Sequence, residues 1–327
     1  MPHSGSFIHW LKQNTKPMSR RTTAIAAALS VLALGSPLIT GCTNPLGIQY
    51  FNQGVEKYKA DNYQGAIEDY TKAIEINPQD ADSYYNRGIA KYDLEDYQGA
   101  IADYTKAIEI DPQHANAYIN RSKAKLNLGD NKGALQDSNK AIEIDPSSSL
   151  AYINRCGAKV NLGKSEDAIK DCDMATEIDP KNAQAYYNRA LAKYGLQDDQ
   201  GVIVDYTKAI EINPQYAAAY SNRGIAKDDL EDYQGAIADY TKAIEIDPQH
   251  ANAYINRSNT KLKLGDNEGA LQDSNKAIEI DPSSSFAYMN RGISRELFND
   301  LKGACDDWRK AAGLGLKKPA EWVQKQC

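Results

Sequence analysis

Apolar residues recur at steps of three and four positions along most of this 327-residue chain, with charged and amide side chains between them. In the segment 97–110, Ala100, Ile101, Tyr104, Ala107 and Ile108 follow this spacing, which places them on one face of an α-helix. The segment 81–93 before it repeats the pattern. The spacing therefore predicts pairs of amphipathic helices.

A period of 34 residues organises these helices. Seven prolines occur at this interval without a slip: Pro78, Pro112, Pro146, Pro180, Pro214, Pro248 and Pro282. Since proline lacks a backbone N–H, each one marks the end of a helix pair. Most second helices follow an Asp or Asn, the expected N-cap: Asn62, Asp96, Asp130, Asp198, Asp232, Asp266 and Asp300. The period predicts eight units across residues 47–318, the last without its proline.

Residues of the second unit resemble the signature of the tetratricopeptide repeat: Tyr84, Gly88, Leu94, Ala100, Tyr104, Ala107 and Pro112. The resemblance implies an all-α fold, a right-handed α-solenoid of eight 34-residue helix-turn-helix units. We expect a C-terminal capping helix at 319–327. The resemblance also implies that the first helix of each unit lines a concave groove, which binds other proteins or extended peptide segments.

Two sets of side chains are candidates for this groove. The aromatic members are Tyr85, Tyr92, Tyr187, Tyr194 and Phe286. An asparagine recurs beside them, at Asn86, Asn120, Asn154, Asn188, Asn222, Asn256 and Asn290. Because a carboxamide donates and accepts hydrogen bonds, the asparagine row resembles a ladder that grips a peptide backbone. Two alternatives stay open: the aromatic rings pack between neighbouring units, and the asparagines bond locally.

Charged and sulfur-containing pairs share an offset of 16 residues. In units two to eight an Arg follows the recurring Asn, and an Asp stands 16 residues later, as in Arg121 and Asp137. This spacing predicts an ion pair between the two helices of one unit. The offset also separates Cys156 from Cys172, while Cys305 and Cys327 flank a glycine turn. These four are the cysteines that follow Cys42. An even count in an exported protein favours disulfides Cys156–Cys172 and Cys305–Cys327; buried free thiols are the alternative.

The first forty-two residues have the layout of an export signal. Arg20 and Arg21 precede an apolar run over 24–34, which is too short for a bilayer core that needs about 20 residues. The sequence Leu-Ile-Thr-Gly-Cys at 38–42 resembles the bacterial lipobox, which implies cleavage before Cys42 and a lipid on its thiol. We expect a signal peptide at 1–41 and a lipid-anchored linker at 42–46. An ordinary secretory signal is the alternative.

Charge and motif content exclude several functions. The net charge is −6, and without residues 1–41, which hold four basic residues and no acidic one, it is −10. Such a chain is repelled by phosphate backbones, so nucleic acid is not an expected partner. We find no spacing typical of a catalytic group, metal site or cofactor site, and expect no small-molecule substrate.

Part of the chain is an internal duplication. Residues 81–148 and 217–284 differ at only eight of 68 positions, and copying a scaffold lengthens a binding surface more readily than it preserves an active site. We therefore expect a non-catalytic scaffold or adaptor, exported and membrane-anchored on the periplasmic or outer-membrane side of a bacterial envelope. A fixed subunit of an envelope assembly, such as a secretion or pilus complex, is the alternative.

Overall fold

The structure, a computed structural model, describes residues 44–327. The predicted signal peptide and Cys42 lie outside the described residues. Within the described range every regular element is a helix. The helices are α1 (Pro45–Lys59), α2 (Tyr63–Ile76), α3 (Ala81–Asp93), α4 (Tyr97–Ile110), α5 (Ala115–Asn127), α6 (Asn131–Ile144), α7 (Ser149–Asn161), α8 (Ser165–Ile178), α9 (Ala183–Tyr194), α10 (Asp199–Ile212), α11 (Ala217–Asp229), α12 (Tyr233–Ile246), α13 (Ala251–Lys263), α14 (Asn267–Ile280), α15 (Ser285–Leu297), α16 (Leu301–Gly313) and α17 (Lys317–Gln326).

Each odd-numbered helix from α1 to α15 packs against the next helix and forms a hairpin, numbered 1 to 8 in chain order. The described residues divide into two compact bodies, 44–180 with hairpins 1–4 and 181–327 with hairpins 5–8 and α17. Within each body, consecutive hairpins contact one another in chain order. The predicted all-α class of stacked helix pairs is confirmed.

The helix starts follow the predicted capping residues. The side-chain oxygen of Asp96 accepts a hydrogen bond from the backbone N–H of Gly99 at 2.9 Å, which satisfies a donor that the first turn leaves unpaired. The other six predicted caps make the same bond. Hairpin 4 is the exception, because Lys164 stands at that place and its side chain does not cap the helix.

A close approach of the two helices gives each hairpin its core. In hairpin 2, a Cβ on Gly88 would lie 2.6 Å from the Tyr104 ring, so the absence of a side chain at Gly88 lets this buried tyrosine pack closely against the first helix. In hairpin 3 the equivalent pair is Ser122 and Ser138, whose hydroxyls lie 2.8 Å apart. The helix crossing is therefore filled by a glycine and a large ring in hairpin 2 and by two small side chains in hairpin 3.

A buried ion pair links the two helices, as the 16-residue spacing predicts. The Asp137 carboxylate accepts from Nε and Nη2 of Arg121 at 2.9 and 2.7 Å, and Lys125 Nζ lies 2.7 Å away. Equivalent Arg–Asp pairs occur in hairpins 2 and 4–8, with Asp103, Asp171, Asp205, Asp239, Asp273 and Asp307. The aspartates are buried, so these groups fix helix packing and supply no basic groove.

Both predicted cysteine pairs lie at disulfide distance. The Sγ atoms of Cys156 and Cys172 are 2.11 Å apart within hairpin 4, and those of Cys305 and Cys327 are 1.95 Å apart. The second pair joins α16 to the residue after α17, where Trp308 and Trp322 are also in contact, with ring centroids 5.3 Å apart. The last helix is therefore held against hairpin 8.

Candidate functional site

The first helices of successive hairpins are bonded to each other by side chains in each body. We call the surface they form the first-helix face: α1, α3, α5 and α7 in residues 44–180, and α9, α11, α13 and α15 in residues 181–327. Every sequence-predicted groove residue lies on these helices. Side-chain bonds across the face connect residues 35 positions apart, such as Tyr58 to Asp93 at 2.5 Å.

The asparagine row bonds mostly between hairpins of the protein itself. Nδ2 of Asn154 donates to the carbonyl of Ile119 at 2.9 Å, and Nδ2 of Asn290 donates to the carbonyl of Ile255 at 3.1 Å. Both asparagines are buried. Asn120 and Asn222 donate to the tyrosine hydroxyls of the preceding hairpin, at 3.0 Å each. For these four residues the geometry favours the local bond over a ladder for peptide.

The other three asparagines differ among themselves. Nδ2 of Asn86 donates to the carbonyl of Asp82 on its own helix at 2.8 Å, and Oδ1 of Asn188 accepts from Gln184 at 2.7 Å. Nδ2 of Asn256 is buried and makes no hydrogen bond with the described residues. A role for the row in gripping peptide stays a prediction.

Two of the five predicted aromatic residues are packed between neighbours. The Tyr85 ring lies against His114 and Tyr104, with centroid distances of 4.6 and 5.9 Å. Tyr187 is stacked on Tyr216 at 4.8 Å and is 6% exposed. Burial raises the pKa of both Tyr85 and Tyr187 to about 12, although a hydrogen bond from Asn120 or Asn222 opposes the shift. These two rings serve packing.

The other aromatic residues reach the surface. Tyr92 and Tyr194 are half-buried at the ends of their helices, where the Tyr92 hydroxyl accepts from Asn127 at 2.6 Å. The Tyr194 hydroxyl lies 3.3 Å from the Asp229 carboxylate. Phe286 is the most accessible of the five, at 38% exposed. A partner protein can contact these three rings.

The two copies of the duplicated block differ on this face. We call residues 81–148 the first copy and 217–284 the second copy. Lys123 of the first copy places Nζ over the Tyr92 ring, 4.8 Å from its centroid. In the second copy, Asp228 and Asn259 replace these residues, and Lys263 and Asp228 form an ion pair. The positions of the eight differences between the copies are the sequence signal that identifies Lys123.

Two classes of site are not found in the described part of the chain. Residues 44–327 contain no helix long and apolar enough to cross a bilayer. The same residues contain no group of three or more His, Cys, Asp or Glu side chains arranged to hold a metal ion.

The fold and its first-helix face define a helical-hairpin repeat protein, and comparison with family models agrees. Models described as "Tetratricopeptide repeat" match residues 81–114, 103–136, 183–216, 217–250 and 239–272, and one described as "TPR repeat" matches 54–94. Together these matches cover more than half of the chain. The chain belongs to the tetratricopeptide repeat family.

Solved structures share this fold. A tetratricopeptide repeat protein from Parabacteroides merdae is 20% identical with a TM-score of 0.62, and the match covers 77% of this chain and 99% of that one. The Cut9–Hcn1 hetero-tetramer of the APC/C is 12% identical with a TM-score of 0.65, covering 85% of this chain and 55% of that one. At these identities the likeness concerns the fold alone. A search of curated proteins finds no match.

Proposed function

We propose that this chain is a non-catalytic scaffold, tethered to a bacterial membrane through a lipid on Cys42, that holds segments of partner proteins on its first-helix face. The observation that supports binding is the half-exposed first-helix face of a tetratricopeptide protein, where Tyr92 and Lys123 lie at the surface. The second helices do a different task, because their aspartates and tyrosines build the hairpin cores.

The anchor would bring this face close to the membrane. Three residue steps separate Cys42 from Pro45, the first residue of α1, and an extended chain spans at most about 11 Å over that length. A lipid on Cys42 would therefore hold hairpin 1 beside the headgroups, without a long linker. The partners that this arrangement favours are exported or envelope proteins.

Site-specific photo-crosslinking tests the binding face. A photoreactive residue is placed at Leu126 or Ile89 on first helices, and at Lys106 on the exposed side of α4 as the matched control. We expect partner crosslinks from the first-helix positions and none from position 106. Equal crosslinking from all three positions would contradict the proposed face. Asn154 is a poor choice for this test, because its amide supports the fold.

The crosslinked partners also distinguish an adaptor from a fixed subunit. An adaptor is expected to yield several partners that dissociate in high salt. A permanent subunit of an envelope assembly would yield one partner in constant proportion that resists the wash.

Labelling cells with an alkyne fatty acid tests the anchor. The wild-type chain is expected to incorporate the label and to fractionate with membranes, whereas Cys42→Ser is expected to lose both properties. Cys305→Ser is the matched control and is expected to keep the label. Incorporation of label into Cys42→Ser would refute anchoring through this thiol.

A further inference from the structure

The eight differences between the two copies are concentrated on the first helices. Seven of them lie on α3 and α5 of the first copy, at positions 82, 83, 85, 92, 123, 124 and 127; the eighth, Lys132 against Glu268, lies on a second helix. The first helices contribute fewer positions to each copy than the second helices and turns together. The differences therefore concentrate on the first helices, including the buried positions 83 and 124, and leave the second helices and turns almost unchanged.

The first copy carries a cation without a carboxylate partner. Within the described residues no carboxylate oxygen lies within 4 Å of Lys123 Nζ, which sits over the Tyr92 ring. Asp93 follows Tyr92 on α3, and its carboxylate accepts from the Tyr58 hydroxyl. The Tyr92 hydroxyl is in turn occupied by Asn127. Asp93 and Tyr92 therefore each bond to a residue other than Lys123.

The surroundings of Lys123 strengthen its interaction with an anion. Its side chain remains exposed to solvent, yet the protein on either side displaces enough water to lower its pKa, although Asp93 acts in the opposite direction. A partly desolvated ammonium gains more from a carboxylate than a fully hydrated one does. Half-buried Ile89 and Leu126 lie nearby on the same two helices and offer apolar contact.

In the second copy, the charged side chains at the equivalent positions pair with each other. The Asp228 carboxylate is bonded to Lys263 Nζ and accepts from the Thr260 hydroxyl at 2.7 Å. Asn259 replaces the lysine of the first copy and carries no charge. At the equivalent positions, therefore, this copy offers no unpaired cation to a ligand.

On the basis of the proposed function, we propose that the first copy is an acidic-peptide site. It takes an extended partner segment with one carboxylate on Lys123 and a neighbouring apolar side chain against Tyr92, whereas the second copy does not. A single Asp or Glu among neutral residues fits better than an acidic run, because the chain without residues 1–41 carries a net charge of −10.

The test uses the full chain in mild detergent on an array of random 12-residue peptides, with three charge variants. Lys123→Asn copies the second copy, Asn259→Lys installs the lysine there, and Lys132→Asn makes the same charge change on α6. We expect wild-type protein to retain peptides enriched in one Asp or Glu. For these peptides Lys123→Asn is expected to weaken binding about three- to tenfold, and Lys132→Asn to leave it unchanged.

Each outcome has a defined meaning. Asn259→Lys is tested in the wild-type background, where additional retention of acidic peptides supports the proposal. Peptide retention without acidic enrichment, or equal loss from Lys123→Asn and Lys132→Asn, overturns the acidic site and leaves the proposed function standing. Retention of no peptide contradicts both. Unchanged thermal unfolding of Lys123→Asn excludes misfolding as the cause of lost binding.

Discussion

The two copies of the duplicated block share their scaffold and differ in what the scaffold supports. Both keep the buried aspartate, at Asp137 and Asp273, with its arginine and lysine in the same geometry. Both keep the serine pair at the helix crossing, with hydroxyl oxygens 2.8 and 2.7 Å apart. Contacts inside a hairpin have therefore been retained, while contacts between first helices have changed.

The differences between the copies also alter buried contacts between hairpins. In the first copy, Tyr85 fills the space beside His114 and accepts from Asn120. Ser221 replaces that tyrosine in the second copy, and the buried Nδ2 of Asn256, the equivalent of Asn120, has no hydrogen-bond partner among residues 44–327. An unmade buried hydrogen bond costs about 1–3 kcal/mol. At this one contact, therefore, the bond that joins hairpins 2 and 3 of the first copy is missing between hairpins 6 and 7 of the second.

The largest loss of stability is expected at the buried aspartate that both copies keep. Asp137→Ala and Asp273→Ala each leave an arginine and a lysine without their buried partner, and each is expected to lower the free energy of unfolding by about 3–5 kcal/mol. Hydrogen exchange followed by mass spectrometry provides a local measurement, since repeat arrays unfold in parts. If the two losses of unfolding free energy differ by more than half, the ion pairs of the two copies are not equivalent.

A reciprocal exchange tests the lost contact. Tyr85→Ser is expected to destabilise hairpins 2 and 3 by about 2 kcal/mol, because it removes a packed ring and leaves Asn120 unbonded. Ser221→Tyr is expected to stabilise hairpins 6 and 7 by about 1 kcal/mol, by giving Asn256 a partner. Local hydrogen exchange measures both. Destabilisation by Ser221→Tyr would show that the second copy has closed over the space.

Much of the fold follows from the sequence because its determinants lie within one period. The N-caps and the ion pair of Arg121 with Asp137 depend on spacings inside a hairpin, and both were predictable. The boundary between the two bodies was not, because Pro180 closes its unit as the other six prolines do. Nothing in the local pattern of residues marks this position.

The candidate site was less predictable because it depends on contacts between hairpins. The bond from Asn154 to the Ile119 carbonyl joins residues 35 positions apart, and its existence depends on how successive hairpins stack. An Asn that recurs once per unit is compatible with a bond inside the protein and with a bond to a peptide backbone. The internal duplication supplied the missing information, since its differences identify Lys123 and Tyr92 without any other sequence for comparison.

A smaller effect is expected on the titration of His250. Burial lowers the pKa of His250, while Asp247 opposes the shift. The folded protein therefore resists protonation, so this group lowers stability as pH falls from about 6.5 to the folded pKa. In the first copy Asp82 lies 3.8 Å from Nε2 of His114, and Ala218 replaces it in the second. Ala218→Asp is expected to raise the pKa of His250 and to reduce the loss on acidification.

An NMR titration of the His250 ring measures this change, and a variant with His250→Asn assigns its signal among the four histidines of the chain. An unchanged pKa of His250 in Ala218→Asp would show that the new carboxylate does not reach the ring.

The smallest effect is expected from the eighth difference, Lys132→Glu. Its side chain is exposed on α6, away from the first helices, so a change within about 0.5 kcal/mol in the free energy of unfolding is expected. Urea unfolding of this variant beside Tyr85→Ser sharpens the contrast between the two faces. If Lys132→Glu lowers the free energy of unfolding as much as Tyr85→Ser does, the difference on the second helix also affects stability. The concentration of differences on the first helices would then not separate the two faces.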